Sequence, residues 1–257
     1  PALEFSSELL IPVVIPWVLL IASAVFIWLL GRAFKWPREV VGALLICVPL
    51  GNTSFFGFPM IEAFYGSDAI VYGLLYDQFG SFFGLAIYST IIIALYREQD
   101  EKPTVGSVSR QILTFPPFIA LVIALLTKSF TYPEVFQRLI DSLAVTLVPV
   151  IMIAVGFQLK FRLPKGSKTP LTIGLLTKLV LMPALTIALL FGFGFESTLV
   201  QVTVFESAMP PMITAGAVAI MAGLAPRLSA AMVGYGILFA FVSLPIVYEL
   251  LQWLSAQ

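Results

Sequence analysis

The sequence predicts an all-α polytopic membrane protein, and three observations carry that expectation. Of its 257 residues 60% are hydrophobic and only 11% are charged, with a mean hydropathy of +1.02, whereas a soluble domain carries roughly 25% charge. The apolar residues fall into eight runs, each of about 20 residues or more, the length that crosses a hydrocarbon layer as a helix. The connections between them reach only about a dozen residues, and such loops hold no domain of their own.

The eight expected spans cover roughly 8–33, 38–65, 68–96, 109–130, 134–160, 170–194, 198–224 and 227–254. Each break has a local cause in charge, proline or glycine. Arg32, Lys35 and Arg38 close the first span, and Gly66 and Asp68 the second. The run REQDEKPTVGS at 97–107 is the most polar stretch and divides the chain into halves. Tyr132 and Pro133, then Arg162 to Pro170, Gly194 to Ser197, and Ala225 to Arg227 mark the later breaks. Cytoplasmic loops collect Lys and Arg. Setting the 32–38 loop in the cytoplasm puts Arg32, Lys35, Arg38, Arg97, Lys102, Arg110, Lys160, Arg162, Lys165, Lys168 and Arg227 on that side. The other side receives Lys128 and Arg138, so both termini are expected outside.

Composition also bounds the chemistry. Fourteen basic residues balance fourteen acidic ones, which gives no reason to expect a nucleic-acid partner. There is no His and a single Cys47. That removes most zinc chemistry, His-based triads and disulfide frameworks. No metalloprotease motif or nucleotide-binding loop is present, so an enzyme is not expected and no organic cofactor is implied.

Two spans are interrupted near their middles, by GNTSFFGFP at 51–59 and ESAMPPMITAG at 206–216. In hydrocarbon an unpaired backbone group costs several kcal/mol, so irregular backbone survives only inside protein or along a cavity. Pro59 cannot bond back to Phe55, nor Pro210 and Pro211 to Glu206 and Ser207. Carbonyls released in this way coordinate cations, and freed N–H groups hold anions. At 1.5 Å per residue, Asn52 and Glu206 lie roughly 13–20 Å from their entry faces, close to the midplane. The first three spans and the last three share a pattern: a proline-bearing helix (Pro12 and Pro16; Pro183), an interrupted span, and a glycine-bearing helix. Tyr76–Asp77–Gln78 in one triplet stands opposite Gly234–Tyr235–Gly236 in the other. One triplet starts outside and the other inside, which is the pattern of an inverted repeat, and paired interruptions there point to a transporter's substrate site.

These residues resemble a known family. GNTSFFGFPMIEAFYG is similar to the fourth-helix motif of the auxin efflux carrier (AEC) family, Asn-x-x-Phe-x-Gly-x-Pro, and ESAMPPMITAGAVA at 206–219 to its ninth-helix Glu-x-Ala-Met-Pro motif. PPFIALVIALL at 116–126 and LAVTLVPVIMIAVGFQL at 143–159 resemble its sixth and seventh helices. The resemblance implies ten helices in a 5+5 inverted repeat with two broken crossover helices, a fold shared at a distance with sodium–bile acid symporters. Eight of the ten spans are visible. The chain opens on Pro1 and only three helices precede the polar loop, so a chain lacking the family's first two helices is expected. Residues 1–98 and 164–257 are then the two parts of a transport domain, 99–108 a central cytoplasmic loop, and 109–163 scaffold helices that in relatives often mediate a homodimer. The implied activity is secondary transport of a small organic anion, malonate-like or auxin-like, across a bacterial inner membrane. A bile-acid-type symporter, an uncoupled uniporter and a channel are the alternatives.

The expected substrate residues are Asn52, Thr53, Ser54, Pro59, Ala208, Met209, Pro210 and Pro211. Glu206, with Asn52, Ser54 and Asp77, is the expected ion-coupling set, taking Na+ or H+. A midplane carboxylate costs at least about 2.5 kcal/mol unless it is paired, protonated or metal-bound, and the bland role for Glu206 is to cap the opposing half-helix. Asp77 serves either coupling or a structural bond between helices. Lys178, about 12 Å in from the cytoplasmic end, either snorkels to that interface or attracts the anion from inside. Gln78, Gln158 and Tyr235 complete the candidates. Asp141 is expected near the outer interface, Cys47 as a buried apolar residue, the Phe-rich run 55–59 as packing, and the four tryptophans mostly as interfacial anchors.

Overall fold

The computed structural model describes residues 7–96 and 167–256, together with 132–140 and scattered residues between 106 and 146. Four helices are long and apolar enough to cross a membrane. A short 3-10 turn, Ser7–Leu10, leads into α1, Ile11–Ala33. The others are α4, Ser67–Tyr96; α5, Lys168–Gly192; and α8, Pro226–Ser255. They correspond to the expected spans 8–33, 68–96, 170–194 and 227–254. No strand occurs among the described residues. The expected helices 109–130 and 134–160 lie largely outside the described residues.

Each of the two interrupted spans is a pair of half-helices. Residues Arg38–Cys47 form α2 and Gly57–Tyr65 form α3. Residues Thr198–Ser207 form α6 and Ile213–Met221 form α7. Nine or ten residues rise about 13–15 Å, half of a hydrocarbon layer about 30 Å thick. Pro59 is the third residue of α3, where its missing N–H leaves no bond unmade. It helps start a helix there and does not kink one.

The breaks meet. Gly51 and Pro211 form an isolated antiparallel bridge, in which the Asn52 N–H donates to Pro210 O at 2.8 Å and the Met212 N–H to Leu50 O at 2.9 Å. In this register neither proline is asked for a donor, so two residues that cannot continue a helix sit at no hydrogen-bonding cost. The bridge satisfies four backbone groups that the breaks would otherwise leave bare in an apolar interior.

Two apolar clusters lie on either side of this junction. One gathers Ile15, Leu19, Phe56, Phe205 and Met209 with Val233 to Leu251 of α8. The other gathers Leu20, Ile27, α2 and Leu50 with Met212, Ala215, Ala219 and Met232. Every residue of α6 from Leu199 to Ser207 is buried, as expected of a helix enclosed on all sides. The polar side chains of the junction are therefore held between two dry layers.

Helices α4 and α5 each depart from α geometry beside this layer. They form π turns at Asp77–Phe82 and Gly84–Ser89 in α4, and at Thr177–Leu181 in α5. A π turn adds a residue to the circuit and re-aims the side chains around it. The turns at 77–82 and 177–181 hold the two mid-helix charges, Asp77 and Lys178. The released Phe79 carbonyl accepts from Trp17 Nε1 at 2.8 Å. Trp17 thus ties α1 to α4. Pro16 lies inside an unbroken α1.

Candidate functional site

The junction brings together side chains from four elements. Asn52, Thr53, Asp77, Lys178, Glu206 and Ser207 are all 4% exposed or less. Ala208, Met209, Pro210 and Pro211 are buried around them, while Ser54 and Pro59 are partly exposed.

The first break is closed by hydrogen bonds. Thr53 Oγ1 donates to Asp77 Oδ1 at 2.6 Å, and Gln78 Nε2 donates to Asp77 Oδ2 at 2.9 Å. Both carboxyl oxygens are thus satisfied, and the bond to Thr53 ties α4 to the broken span. This is the structural bond weighed for Asp77 at the sequence level, and it makes Gln78 a support for Asp77.

The second break is different. Glu206 is wholly buried and neither carboxyl oxygen has a hydrogen-bond partner. The expected capping of the opposing half-helix is therefore not made, although the carboxyl lies against its first residue. A Cβ added to Gly57 would meet Glu206 Oε2 at 2.8 Å and Oε1 at 3.0 Å, and one added to Gly73 would meet Oε1 at 2.8 Å. Two glycines thus form a slot that admits the carboxyl and nothing larger. Lying at the N-terminal end of α3, the carboxyl gains from the helix dipole. The Asn52 amide is also fully buried with Oδ1 and Nδ2 both unpartnered. Buried polar groups are almost always satisfied, so two such side chains in one layer mark a candidate site.

Lys178 is 3% exposed. Its Nζ donates to Ser207 O at 3.1 Å, at the C-terminal end of α6, where a cation is favoured. The same Nζ lies 3.1 Å from where a Cβ on Gly51 would be. Lys178 therefore does not snorkel: its amine is at the bridge itself, on a carbonyl that the break released. Glu206 interacts electrostatically with both Lys178 and Asp77. Among the described residues none of these three acids and bases forms a direct ion pair. No cluster of three or more His, Cys, Asp or Glu suited to a metal occurs among the described residues.

Tyr235 does not join this group. It lines an apolar groove of about 510 Å3 between α5 and α8, with Leu175, Leu179, Phe239 and Val242. Its neighbour Gly236 faces inward, and a Cβ there would collide with Pro211. Gln158 and Asp141 lie outside the described residues. Cys47 is buried, and Phe56 packs edge-on against Phe241 at 5.3 Å, both as expected. Sequence reasoning missed the roles of Gly57 and Gly73. The first was visible as the glycine of the Asn-x-x-Phe-x-Gly-x-Pro motif, and the second only as a glycine four residues before Asp77.

The family model described as membrane transport protein matches residues 2–248. The chain belongs to this family, that of the auxin efflux carriers. Two relatives agree with it in kind. An uncharacterized transporter of Methanothermobacter thermautotrophicus is 23% identical over 221 residues, covering 83% of this chain and 71% of the relative. An uncharacterized transporter of Methanocaldococcus jannaschii is 25% identical over 218 residues, covering 80% and 68%. Family membership and the four apolar helices make this an integral membrane protein with a transport role.

Proposed function

We propose that this family member is a secondary transporter that moves a small organic anion by alternating access, with the Gly51–Pro211 junction as a midplane crossover site. The observation that carries the reading is the meeting of two broken spans at one buried bridge, beside two side chains, Asn52 and Glu206, that have no partner. Half-helix ends supply partial charges of both signs at that depth. Asn52, Thr53, Ser54 and the 208–211 backbone bind the substrate. Glu206, with Asn52 and Ser54 nearby, takes the coupling cation, Na+ or a proton, and Asp77 positions the first break through Thr53. The two triplets, α1 to α4 and α5 to α8, form the moving domain as inverted repeats, and residues 109–163 form the scaffold and a dimer contact. Both termini lie outside the plasma membrane.

Uptake of labelled malonate and indole-3-acetate into proteoliposomes, under imposed Na+ or H+ gradients, tests the reading. A coupled carrier gives saturable uptake that follows one gradient and is accelerated by substrate on the far side. Flux that neither saturates nor shows such acceleration would make the protein a pore.

A further inference from the structure

The junction has a back. Leu179 and Tyr235 line the apolar groove between α5 and α8, while their neighbours Lys178 and Gly236 face the bridge. The Lys178 amine lies 3.1 Å from where a Cβ on Gly51 would be, and a Cβ on Gly236 would stand 2.4 Å from Pro211. Adjacent residues of both helices thus face the groove and the junction. The two helices run side by side in one direction, since a Cβ on Gly174 would meet Met232 at 2.9 Å and one on Gly236 would lie 3.5 Å from Leu175. Lys168 is six residues before Gly174, and Arg227 is five before Met232, so both cations stand at one height, where the helices begin. Both are exposed, and neither forms an ion pair among the described residues. Lys168, Thr172, Leu175 and Leu179 share one stripe of α5, at spacings of four, three and four. The lysine therefore continues the wall of the groove at that end.

We propose that this groove holds an acyl chain of an anionic phospholipid, with the headgroup phosphate on Lys168 and Arg227. The site is separate from the proposed transport role and stands without it. Cations at this end are, by themselves, the ordinary bias of short cytoplasmic loops. What makes a site of them is the apolar groove of about 510 Å3 that begins one turn away, at Leu171 and Thr172. Its α5 wall rises about 13–14 Å from Leu171 to Val180, close to the hydrocarbon depth of one leaflet. Buried Leu175 and Leu179 floor it, and exposed Val180, Phe239 and Val242 form its rims. No acid occurs in the first ten residues of either helix, Lys168–Thr177 or Pro226–Tyr235. The charge at the mouth thus complements an anionic headgroup, and basic pockets between helices on the cytoplasmic side are where such headgroups bind. Ser243 Oγ, deeper in the groove, has no partner; bonding back to the carbonyl four residues before it satisfies such a hydroxyl without a polar ligand. A chain seated there braces α5 against α8, and with them the wall behind the bridge.

The test uses two phospholipids with the same photoreactive acyl chain, one a phosphatidylglycerol and the other a phosphatidylcholine, in nanodiscs around the full chain. Mass spectrometry locates the labelled residues. Phosphatidylglycerol is expected to label the groove residues of α5 and α8 at least about fivefold more than phosphatidylcholine, the worth of one basic residue near the headgroups. Lys168→Gln combined with Arg227→Gln is expected to abolish that preference, and both residues are exposed, so the fold does not depend on them. Thr172→Trp fills the mouth of the groove and is expected to lower labelling by either lipid. The melting temperature is expected to be higher in phosphatidylglycerol than in phosphatidylcholine discs, by a margin that the double variant loses. Equal labelling by the two headgroups would overturn the inference and leave an ordinary lipid-facing surface. A preference that survives in the double variant would overturn it as well. Groove residues labelled by neither lipid would overturn it too, and would mean that another part of the chain, such as 109–163, or a second copy covers them.

Discussion

The two breaks are built from similar backbone but settle their polar groups in opposite ways. At the first, Asp77 receives Thr53 and Gln78 and is complete. At the second, Glu206 receives nothing, and Lys178 turns to a carbonyl and forms no pair with either acid. Leaving a buried carboxyl unpaired costs several kcal/mol that a structural role would not require. The difference teaches that an acid at mid-depth in a membrane protein is not a functional group by position alone. Asp77 spends its hydrogen-bonding capacity on holding the first break in place, whereas that of Glu206 is unspent, as the proposed coupling role requires.

The sharpest way to break this comparison is to neutralise each acid in turn. Glu206→Gln should abolish coupled flux while the melting temperature stays equal or rises, because no hydrogen bond is lost. Asp77→Asn should instead lower stability by about 1.5–3 kcal/mol, the usual worth of a hydrogen bond to a charged group. Any fall in its flux should follow the loss of folded protein. Thermal melts alongside flux per folded molecule separate the two patterns. If both variants lose flux at full stability, the division of labour between the breaks is wrong.

The slot around Glu206 gives the next largest effect. Gly57→Ala sets a methyl 2.8 Å from the carboxyl, and overpacking of this kind typically costs about 1–3 kcal/mol. Because the clash is with Glu206, most of the loss should be recovered in the Gly57→Ala, Glu206→Ala double variant, as a double-mutant cycle in denaturation would record. Additive losses would mean that the glycine serves only close helix packing.

Smaller effects belong to the tethers and the prolines. Trp17→Phe removes the bond to Phe79 O and should cost about 1 kcal/mol with little change in flux per folded molecule. Pro59→Ala should change stability by less than about 1 kcal/mol, since residue 59 lies in the first turn of α3. The sequence alone gave that proline a larger part, as a breaker. An equilibrium melt showing a loss of several kcal/mol would restore the breaker role.

Much of the fold was legible because membrane physics leaves few choices. Four intact spans follow from apolar length, and both interruptions follow from Pro59, Pro210 and Pro211 with their polar neighbours. The union of the breaks at a bridge was not legible, since antiparallel pairing between residues 160 positions apart has no local signal. The inward turn of Lys178 was one of the two placements the sequence left open. The choice between them lay in the π turn at Thr177–Leu181, which holds Lys178 and has no signal in the sequence. Glu206 was found as a mid-depth acid, but its lack of partners depends on Gly57 and Gly73 converging from two other elements.

The central claim is that the junction is where transport happens and that Glu206 drives it. The most direct measurement is exchange of labelled substrate in proteoliposomes, comparing the unaltered protein with Glu206→Gln at matched amounts of folded protein. Saturable exchange that is gradient-dependent and accelerated from the far side is expected in the first, and none of that coupling in the second. Equal, gradient-driven exchange in both would contradict it.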